Sequence, residues 1–569
     1  MKEFLVRLFA NPILGCEVIA ASCFVNILAL ASPLFVMQIL RRYVTFGVDA
    51  TLVTLVTGAL IAIILEFIFR ESRMHLAKGL SQERDTTASL ESFSVLTKSR
   101  LAALDRISPS KRQEVVNGIS NIETAYNPNN ITTIIDVPFA LLFIFVLFLL
   151  SPILAGIAAL FLIFVFLGSS FGSLFMRTKT KNLMEKNGTI NSLISTANRE
   201  PETIRAFNAG QYIREVWEKQ QFQQQMLRQG VSTIQSLIQT CTQSATGLMS
   251  ITIVTAGAIL VVQGNMDVGA LIGANILSAR ALQPISKFSQ LSSTFANARE
   301  SMELYNEFKQ LPLEQETGSA KEQYTGSIDF RDVGFAFPGA NTPLFEGLST
   351  TLSPGSVTII IGSNGSGKTT LARLLTGMLE PARGQIFVDG LGLHQVSMEW
   401  WRQQIVYMPQ EPSFLNASIE DNLRTAGINA DNTEINQVID NAGLKQFIDE
   451  SQDNIKTMIS ENGKQLSRGI RHRLALARAL LTNGRLVILD EPFEGMDADG
   501  HQVVQSLILS FIQQKRTVII FTHNKNIIKG NHILIDLNAK PTPKIEAVEM
   551  NAPSNDKKQS EQQNITSTA

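Results

Sequence analysis

Nine consecutive residues in the second half of the chain have the types and spacing of a phosphate-binding loop. Three glycines lack a Cβ, so the backbone can bring successive N–H groups onto one phosphate chain. The Lys368 ammonium can reach the β- and γ-phosphates, and the Thr369 hydroxyl can take one position on Mg²⁺. The spacing G-x-x-x-x-G-K-[ST] thus predicts that a nucleoside triphosphate is bound by Gly362, Ser363, Asn364, Gly365, Ser366, Gly367, Lys368, Thr369 and Thr370.

The segments on either side of this loop predict how it is positioned. Residues 357–361 are β-branched or apolar and predict a buried strand, and a helix is predicted to begin at Lys368. The N-terminal end of that helix adds its positive dipole to the phosphate site. A glycine-rich turn that matches by chance is the alternative, but the order of strand, loop and helix favours a binding loop.

A second apolar run, RLVILDEP at 485–492, ends in two carboxylates. Such a strand downstream of a phosphate-binding loop predicts that Asp490 holds Mg²⁺, commonly through water, and that Glu491 polarises the attacking water. A buried strand followed by an acidic turn is the structural alternative. That alternative is common for an isolated strand and is disfavoured after a phosphate-binding loop.

Length and composition indicate a membrane domain joined to a soluble one. The 569 residues exceed one compact domain, and charged residues make up 17% against about 25% in soluble domains. The deficit lies in the first 300 residues. A net charge of −1 argues against nucleic acid as the main partner. The three cysteines predict apolar packing and neither a disulfide framework nor a metal site; they are Cys16, Cys23 and Cys241.

Six apolar runs are each about long enough to cross a hydrocarbon core as a helix. The basic residues concentrate in the long segments after the second and fourth runs, whereas the turns at 151–152 and 263–267 have none. This bias predicts that both long segments and both termini are cytoplasmic. Helical periodicity predicts that the membrane helices continue into those segments. The runs cover 13–39, 52–69, 134–150, 153–167, about 245–262, and a weaker stretch from about 268.

Residues 1–10 are basic and amphipathic, which suits a helix on a membrane surface. A signal peptide is disfavoured because the following apolar run is too long for one. Three carboxylates lie in or at the ends of the predicted spans. A position facing a cavity or partner competes with a helix-end or interface position; the latter is favoured for Glu66 and Asp136, and Glu17 stays open.

These patterns predict four parts of the chain. Residues 1–310 form the six-helix transmembrane domain, 311–326 a polar linker, 327–548 the nucleotide-binding domain, and 549–569 a tail too poor in apolar residues to fold.

Further motifs identify the second half as similar to the ATPase domain of ABC transporters. IVYMPQEP at 405–412, GKQLSRGIRHRLALARALL at 463–481, EGMD at 494–497 and FTHN at 521–524 occur in the order typical of that family. The resemblance implies that ATP and Mg²⁺ are bound and assigns these roles: Gln410 reaches Mg²⁺ and water, His523 is the switch histidine, Phe337 stacks on adenine, Asp497 belongs to the D-loop, and Ser467 and Gly469 contact the γ-phosphate of a second subunit.

Three positions depart from the family pattern: the signature, the D-loop and the aromatic residue Phe337. The signature LSGGQ is replaced by LSRGI, in which Arg468 adds bulk and charge and Ile470 removes an amide. Glu494 and Gly495 replace the usual Ser-Ala of the D-loop, a change whose effect the sequence does not specify. Phe337 replaces the commoner tyrosine and keeps the ring. We expect hydrolysis to survive these changes at a lower rate.

The first half resembles the membrane domain of type I protein-secretion ATPases. The resemblance lies in ALASPLFVMQIL (29–40), IDVPFALLF (135–143), REPETIRAFNAG (199–210) and LIGANILSARALQPI (271–285). It implies a fold of six membrane helices followed by an α/β ATPase domain, a homodimer in the bacterial inner membrane, and export of a protein or peptide through a membrane-fusion protein and an outer-membrane channel. It also places a coupling helix at REPETIRAF. The peptidase-like domain of some relatives is not expected here.

Two other functions remain open from the sequence. A small-molecule exporter, of lipid or thiol, is suggested because EGMD and RHRLALARALL are similar to the ATPase half of the thiol exporters tied to cytochrome bd assembly. A heterodimer is the alternative to the homodimer, because a different partner chain could supply an unaltered signature. An ATP-binding regulator with weak hydrolysis is suggested by the altered signature.

Overall fold

The computed structural model describes residues 2–525, 527 and 530–548, and the predicted tail at 549–569 lies outside them. The chain separates into two compact units. The first unit contains the described residues up to 312 except 100–102, and the second contains 100–102 and the described residues from 313 onward.

Among the described residues of the first unit, the named elements are all helices. The α-helices as far as residue 309 are α1 Lys2–Ala10, α2 Pro12–Leu28, α3 Ala31–Gln38, α4 Val44–Phe46, α5 Asp49–Lys98, α6 Leu101–Leu104 (whose first two residues belong to the second unit), α7 Pro109–Ala125, α8 Pro128–Asp136, α9 Ala140–Leu150, α10 Pro152–Arg199, α11 Pro201–Ala206, α12 Gly210–Val262, α13 Val268–Gln290 and α14 Ser292–Lys309. A π-helical turn, Ile39–Tyr43, and a 3₁₀ turn, Val137–Phe139, complete the set.

Six helical stretches of the described residues are long and apolar enough to cross a membrane, as the sequence predicts. Helices α5, α10 and α12 have 50, 48 and 53 residues. At 1.5 Å per residue each is over 70 Å long, roughly, more than twice the hydrocarbon thickness of about 30 Å. The prediction that membrane helices continue beyond the apolar runs is therefore confirmed for these three. The six stretches are Pro12–Phe46, Asp49–Lys98, Pro128–Leu150, Pro152–Arg199, Gly210–Val262 and Val268–Gln290.

Several charged residues of this unit form ion pairs with one another. Asp136 accepts hydrogen bonds from Arg73 Nη1 at 2.7 Å and Asn26 Nδ2 at 2.9 Å, so it is both at a helix end and facing partners. Glu66 pairs with Arg70 one turn later in the same helix. Glu17 is exposed. Helix α1 packs into the unit through a buried arginine, Arg7, whose Nη2 lies 2.6 Å from Asp85 Oδ1.

The second unit contains two sheets surrounded by helices. Its elements are β1 Ile328–Phe335, β2 Phe345–Leu352, β3 Val357–Ile361, α15 Lys368–Leu375, β4 Arg383–Val388, β5 Leu391–Gly392, α16 Met398–Gln403, β6 Ile405–Met408, α17 Ile419–Arg424, α18 Asn432–Asn441, α19 Lys445–Glu450, α20 Arg468–Leu480, β7 Leu486–Asp490, α21 Ala498–Gln513, β8 Thr517–Thr522, β9 His532–Asp536 and β10 Lys544–Val548. Short 3₁₀ turns occur at Leu393–Gln395, Asn454–Lys456 and Glu461–Gly463.

The larger sheet positions the predicted site. Its strand order is β10-β9-β3-β8-β7-β6, parallel except for the antiparallel pair β9 and β10. Every residue of β3, β7 and β8 is buried, as expected for parallel strands covered on both faces. Since the carboxyl ends of adjacent parallel strands meet at one edge, the segments after these three strands come together there.

The smaller sheet has the order β2-β1-β4-β5 and is antiparallel. The smaller sheet shares one apolar core with one face of the larger sheet. The largest buried side chains of this core include Trp401, Phe345 and Phe521. A separate apolar cluster joins α17, α18 and α20.

Part of the segment predicted as a linker is packed on this unit. The Tyr324 ring is 2% exposed and meets Trp401 edge-on at 5.2 Å. Both carboxylate oxygens of Glu314 accept hydrogen bonds from the Arg402 guanidinium at 2.7 and 2.8 Å. A polar segment with a single large aromatic residue has too little apolar periodicity for its packing to be predicted.

Candidate active site

The loop between β3 and α15 has the backbone that phosphate binding requires. Gly365 and Gly367 have φ of 79° and 112°, which only glycine adopts without strain. A Cβ on Gly362 would lie 2.1 Å from Ser366 Oγ, so this position also requires glycine. Helix α15 begins at Lys368, as the sequence predicts. Thr369 and Thr370 therefore lie in its first turn, whereas residues 363–365 are exposed.

Lys368 lies under the loop and is 7% exposed. Its Nζ donates to the Gly362 carbonyl oxygen at 2.7 Å and lies 3.3 Å from Glu491 Oε1. The ammonium thus joins the predicted phosphate loop to the predicted catalytic carboxylate, although 123 positions separate the two residues in the sequence.

Glu491 is in contact with a second predicted residue, His523. The distance from His523 Nδ1 to Glu491 Oε2 is 3.1 Å, and the histidine side chain is 74% exposed while the carboxylate is 6% exposed. Glu491 has a φ of 50°, and its N–H donates to Phe521 O at 2.9 Å. The end of β8 therefore fixes the unusual backbone that directs this carboxylate.

Asp490 is fully buried, and neither of its carboxylate oxygens has a hydrogen-bond partner. Burial, with a smaller contribution from the Glu491 charge, raises the pKa of Asp490 to about 6, although the Thr369 hydroxyl, Lys368 and Arg373 act to lower it. The Thr369 hydroxyl lies near this carboxylate, although its hydrogen bond goes to Gln410 Oε1 at 3.3 Å. Unpartnered carboxylate oxygens beside a hydroxyl and an amide oxygen are a donor set that fits Mg²⁺.

Gln410 connects the loop to two other segments. Its Oε1 faces Thr369, its Nε2 donates to Glu494 Oε2 at 3.0 Å, and its backbone oxygen lies 3.1 Å from His472 Nε2. The predicted Mg²⁺ contacts of Thr369, Gln410 and Asp490 are thus brought to one place.

The predicted signature residues lie at the N-terminus of α20. Ser467 is the N-cap, with its Oγ accepting from Ile470 N–H at 3.3 Å, and Gly469 lies in the first turn. Asp497 caps α21 through Gly500 N–H at 2.9 Å and forms an ion pair with Arg473 of α20.

Among the described residues, no hydrogen bond or ion pair joins Ser467 or Gly469 to the loop 362–370. Phe337, predicted to stack on adenine, is 52% exposed and meets Phe335 edge-on at 5.1 Å. The structure therefore brings the loop, Gln410, Asp490, Glu491 and His523 together, and no hydrogen bond or ion pair in the described part of the chain joins Ser467 or Gly469 to them directly.

Three contributors were not predicted from the sequence. Asn538 Oδ1 accepts from Ser363 N–H at 2.8 Å, and Lys540 Nζ donates to Ser366 O at 2.9 Å. Glu494 was noted only as a departure from the family pattern. Asn538 and Lys540 follow β9 at the same sheet edge, more than 170 positions from the loop. A prediction that β9 lies beside β3 in the sheet was the only signal that could have indicated these two residues.

Comparisons with known proteins agree with this geometry. Residues 16–285 match the ABC transporter transmembrane region, and residues 345–494 match the ABC transporter ATPase domain. The chain is 26% identical over 532 residues to the alpha-hemolysin translocation ATP-binding protein HlyB of Escherichia coli O157:H7, covering 91% of this chain and 74% of that protein. It is 25% identical over 521 residues to the exotoxin translocation ATP-binding protein PaxB of Pasteurella aerogenes, covering 91% and 73%.

The fold has a close counterpart among solved structures. A bacterial Atm1-family ABC exporter with ATP bound has a TM-score of 0.80 and 20% sequence identity to this chain, covering 92% of this chain and 94% of the solved one. At this identity the match shows a shared fold.

The fold, the site and both domain matches define an ATPase whose hydrolysis of ATP is coupled to transport across a membrane. The chain belongs to the ABC transporter family, as a multi-pass exporter in which the membrane domain precedes the ATPase domain. Within that family it is homologous to the toxin translocation ATP-binding proteins, which confirms the resemblance stated from its motifs.

Proposed function

We propose that this protein is the inner-membrane ATPase of a type I secretion system and exports a protein or peptide. The observation that carries the proposal is the extent of its similarity to toxin translocation proteins, which covers 91% of the chain and so includes the membrane half. A periplasmic membrane-fusion protein and an outer-membrane channel are the proposed partners, and the bacterial inner membrane is the proposed location.

At the site, the chain's own residues perform five tasks. Loop N–H groups and Lys368 bind the β- and γ-phosphates of ATP, and the exposed ring of Phe337 stacks on adenine. Glu491 accepts a proton from the attacking water, and His523, 3.1 Å away, orients its carboxylate. Thr369, Gln410 and Asp490 would hold Mg²⁺, which would supply positive charge at the phosphates.

The proposed functional unit is a homodimer. One chain has one phosphate loop and one signature turn, and among the described residues no direct hydrogen bond or ion pair joins Ser467 or Gly469 to the loop. Two chains related by a twofold axis can place Ser467 and Gly469 of each on the nucleotide of the other. ATP then stabilises the closed pair of ATPase domains, and the long helices α5, α10 and α12 transmit closure to the membrane spans.

The test is deletion of the gene followed by comparison of the proteins outside the cell. We expect one or a few extracellular proteins to disappear and to return with the wild-type gene but not with Lys368→Ala. A Lys445→Ala variant is the matched control, because Lys445 begins α19 on the surface of the same domain. An unchanged set of extracellular proteins and peptides would contradict protein export.

A small-molecule exporter is the second candidate, and one observation favours it. The membrane unit contains a cavity of about 620 Å³ lined by aromatic rings, serines, Arg177 and Arg299. This volume lies in the 300–1,000 Å³ range of small-molecule sites. Its mixed lining suits an amphipathic ligand such as a lipid.

Stimulation of the ATPase in nanodiscs distinguishes the two candidates. A small-molecule exporter should be stimulated by a lipid or thiol, and Phe288→Trp, which narrows the cavity, should abolish that stimulation while basal turnover stays the same. A protein exporter should respond to the polypeptide lost from the deletion strain and should be indifferent to Phe288→Trp.

A further inference from the structure

Three hydrogen bonds connect the phosphate loop to the signature turn within one chain. The Thr369 hydroxyl donates to Gln410 Oε1 at 3.3 Å, and Gln410 Nε2 donates to Glu494 Oε2 at 3.0 Å. Glu494 Oε1 accepts from Arg468 Nη2 at 2.7 Å. Glu494 therefore binds two groups at once: the amide of Gln410, which faces the proposed Mg²⁺ position, and the guanidinium of Arg468, the residue after Ser467.

A second connection runs in parallel through the backbone. His472 is 2% exposed, and its Nδ1 and Nε2 lie 2.9 Å from Arg468 O and 3.1 Å from Gln410 O. Gln410 and Arg468 are thus joined through the Glu494 carboxylate, and the buried His472 ring lies between their backbone oxygens. This arrangement limits the movement of Gln410 relative to the first turn of α20.

The Arg468 side chain lies along the backbone of the D-loop. A Cβ on Gly495 would be 2.4 Å from Arg468 Cδ, and Gly495 has a φ of 73°, so only glycine leaves room for the arginine there. Arg468 and Gly495 consequently fit each other. The guanidinium is directed towards Glu494 of its own chain.

Charge supports the same arrangement. The hydrogen bond from Gln410 and the bond and charge of Arg468 lower the pKa of Glu494, partly opposed by burial. The carboxylate is therefore ionised at neutral pH and accepts both bonds. An isolated exposed ion pair contributes little to stability. The Glu494 carboxylate, however, also accepts a hydrogen bond from the Gln410 amide and so affects the orientation of that amide.

We propose that Glu494 is a positioning residue for ATP hydrolysis. It holds the Gln410 amide with Oε1 towards Thr369 and keeps Arg468 away from the face that Ser467 and Gly469 present. This inference rests on the role proposed above for Gln410. It does not depend on what the protein exports. The positioning role of Glu494 can therefore fail while the proposal of protein secretion stands, and protein secretion can fail while the positioning role stands.

The test is steady-state ATPase activity of the full-length protein in nanodiscs, measured against ATP and Mg²⁺. Glu494→Ala should lower kcat about tenfold, as expected for loss of a charge-assisted hydrogen bond. The KM for ATP should change less than about threefold, because the phosphate loop and Phe337 are untouched. Glu494→Gln, which can still accept one bond, should lose less. A KM effect with unchanged kcat would overturn the proposal.

The matched control is Glu420→Ala. Glu420 forms an ion pair of similar exposure with Arg424 in α17, outside the site, and its loss should leave kcat within about twofold. Thermal unfolding midpoints of all variants are measured alongside. An equal fall in kcat for Glu420→Ala would mean that domain stability, not positioning, is measured.

A double-mutant cycle tests whether Glu494 acts through Gln410. We expect Gln410→Ala with Glu494→Ala to be no slower than Gln410→Ala alone, since the residue to be positioned is then absent. Multiplication of the two single effects would overturn the proposal, because the two residues would then act independently.

Discussion

Glu491 is the residue at which the contacts of the candidate site converge. One carboxylate oxygen lies 3.3 Å from Lys368 Nζ and the other 3.1 Å from His523 Nδ1. The ammonium therefore binds a carboxylate in this structure and, on the proposed mechanism, a phosphate chain during turnover. This arrangement places a proton acceptor beside the predicted position of the γ-phosphate.

Glu491→Gln should abolish turnover and retain ATP binding. The amide keeps the shape of the side chain but cannot accept a proton, so kcat should fall at least about 100-fold. ATPase assays and binding of a fluorescent ATP analogue measure the two properties separately. Glu434→Gln, in the first turn of α18, is the matched control. Preserved turnover in Glu491→Gln would rule out this carboxylate as the base.

Asp490 should make stability and activity respond to pH in opposite directions. Its pKa of about 6 in the folded protein lies above the ordinary aspartate value of 3.8, so ionisation opposes folding when Mg²⁺ is absent. The stability it contributes is present below about pH 4 and is lost as the pH rises through about 6, to an extent of up to about 3 kcal/mol. Mg²⁺ binding needs the ionised form, so activity should decline as the pH falls below about 6.

Asp490→Asn separates these effects. In EDTA at pH 7.5 the variant should unfold at a higher temperature than the wild type, and this difference should shrink at pH 5, while Mg²⁺-dependent hydrolysis is lost at both. Asp449→Asn, on an exposed helix position, should show neither change. An equal difference at both pH values would show that ionisation of Asp490 is not the cause.

The residue motifs predicted most of this site because each stands at a strand or helix end. Asp490 ends β7, Glu491 directly follows it, and Lys368 begins α15. Parallel strands that end at one sheet edge bring such residues together. The partners of Arg468 and Gln410 could not be predicted in the same way, since a side-chain contact over 26 or 84 positions leaves no periodic pattern.

At the scale of elements, the sequence predicted long helices and buried strands well. Apolar runs next to segments of helical periodicity predicted the extended α5, α10 and α12, and the apolar and β-branched runs predicted β3 and β7. The segment 311–326 was predicted as a linker by its polarity. A single buried ring, Tyr324, together with the Glu314–Arg402 pair, attaches it to the ATPase unit.

Tyr324→Ala should therefore destabilise the ATPase unit. Removal of a buried aromatic ring costs about 3–5 kcal/mol, and the edge-on contact with Trp401 is lost as well. Tyr324→Phe should cost less than about 1 kcal/mol, because its hydroxyl makes only a 3.4 Å bond to Ser327 O. Thermal unfolding in detergent measures both. Equal midpoints for Tyr324→Ala and wild type would mean that the segment is a free linker.

At the scale of the whole molecule, the distribution of basic residues predicts orientation in the membrane. The turn at 263–267 should face the periplasm and the short helix α11 the cytoplasm. Gln263 and Gln211 are both exposed and near these two sites. With Cys16, Cys23 and Cys241 replaced by serine, an impermeant maleimide should label Gln263→Cys in spheroplasts and Gln211→Cys only after lysis. The opposite labelling would invert the proposed topology.

The arrangement of the two subunits in the dimer is the feature that is hardest to predict from the sequence and the structure of a single chain, because a subunit interface leaves no local pattern.

If a second subunit completes the site, Ser467 of one subunit should lie near Ser363 of the other, and both side chains are exposed in the single chain. Two differently tagged cysteine-free proteins, one with Ser467→Cys and one with Ser363→Cys, are co-expressed and oxidised with ATP under the Glu491→Gln background. A cross-link should join the two tags, and Ser467→Cys paired with Ser506→Cys, on α21, should give none. Equal cross-linking of both pairs, or none with ATP bound, would contradict completion of the site by a second copy.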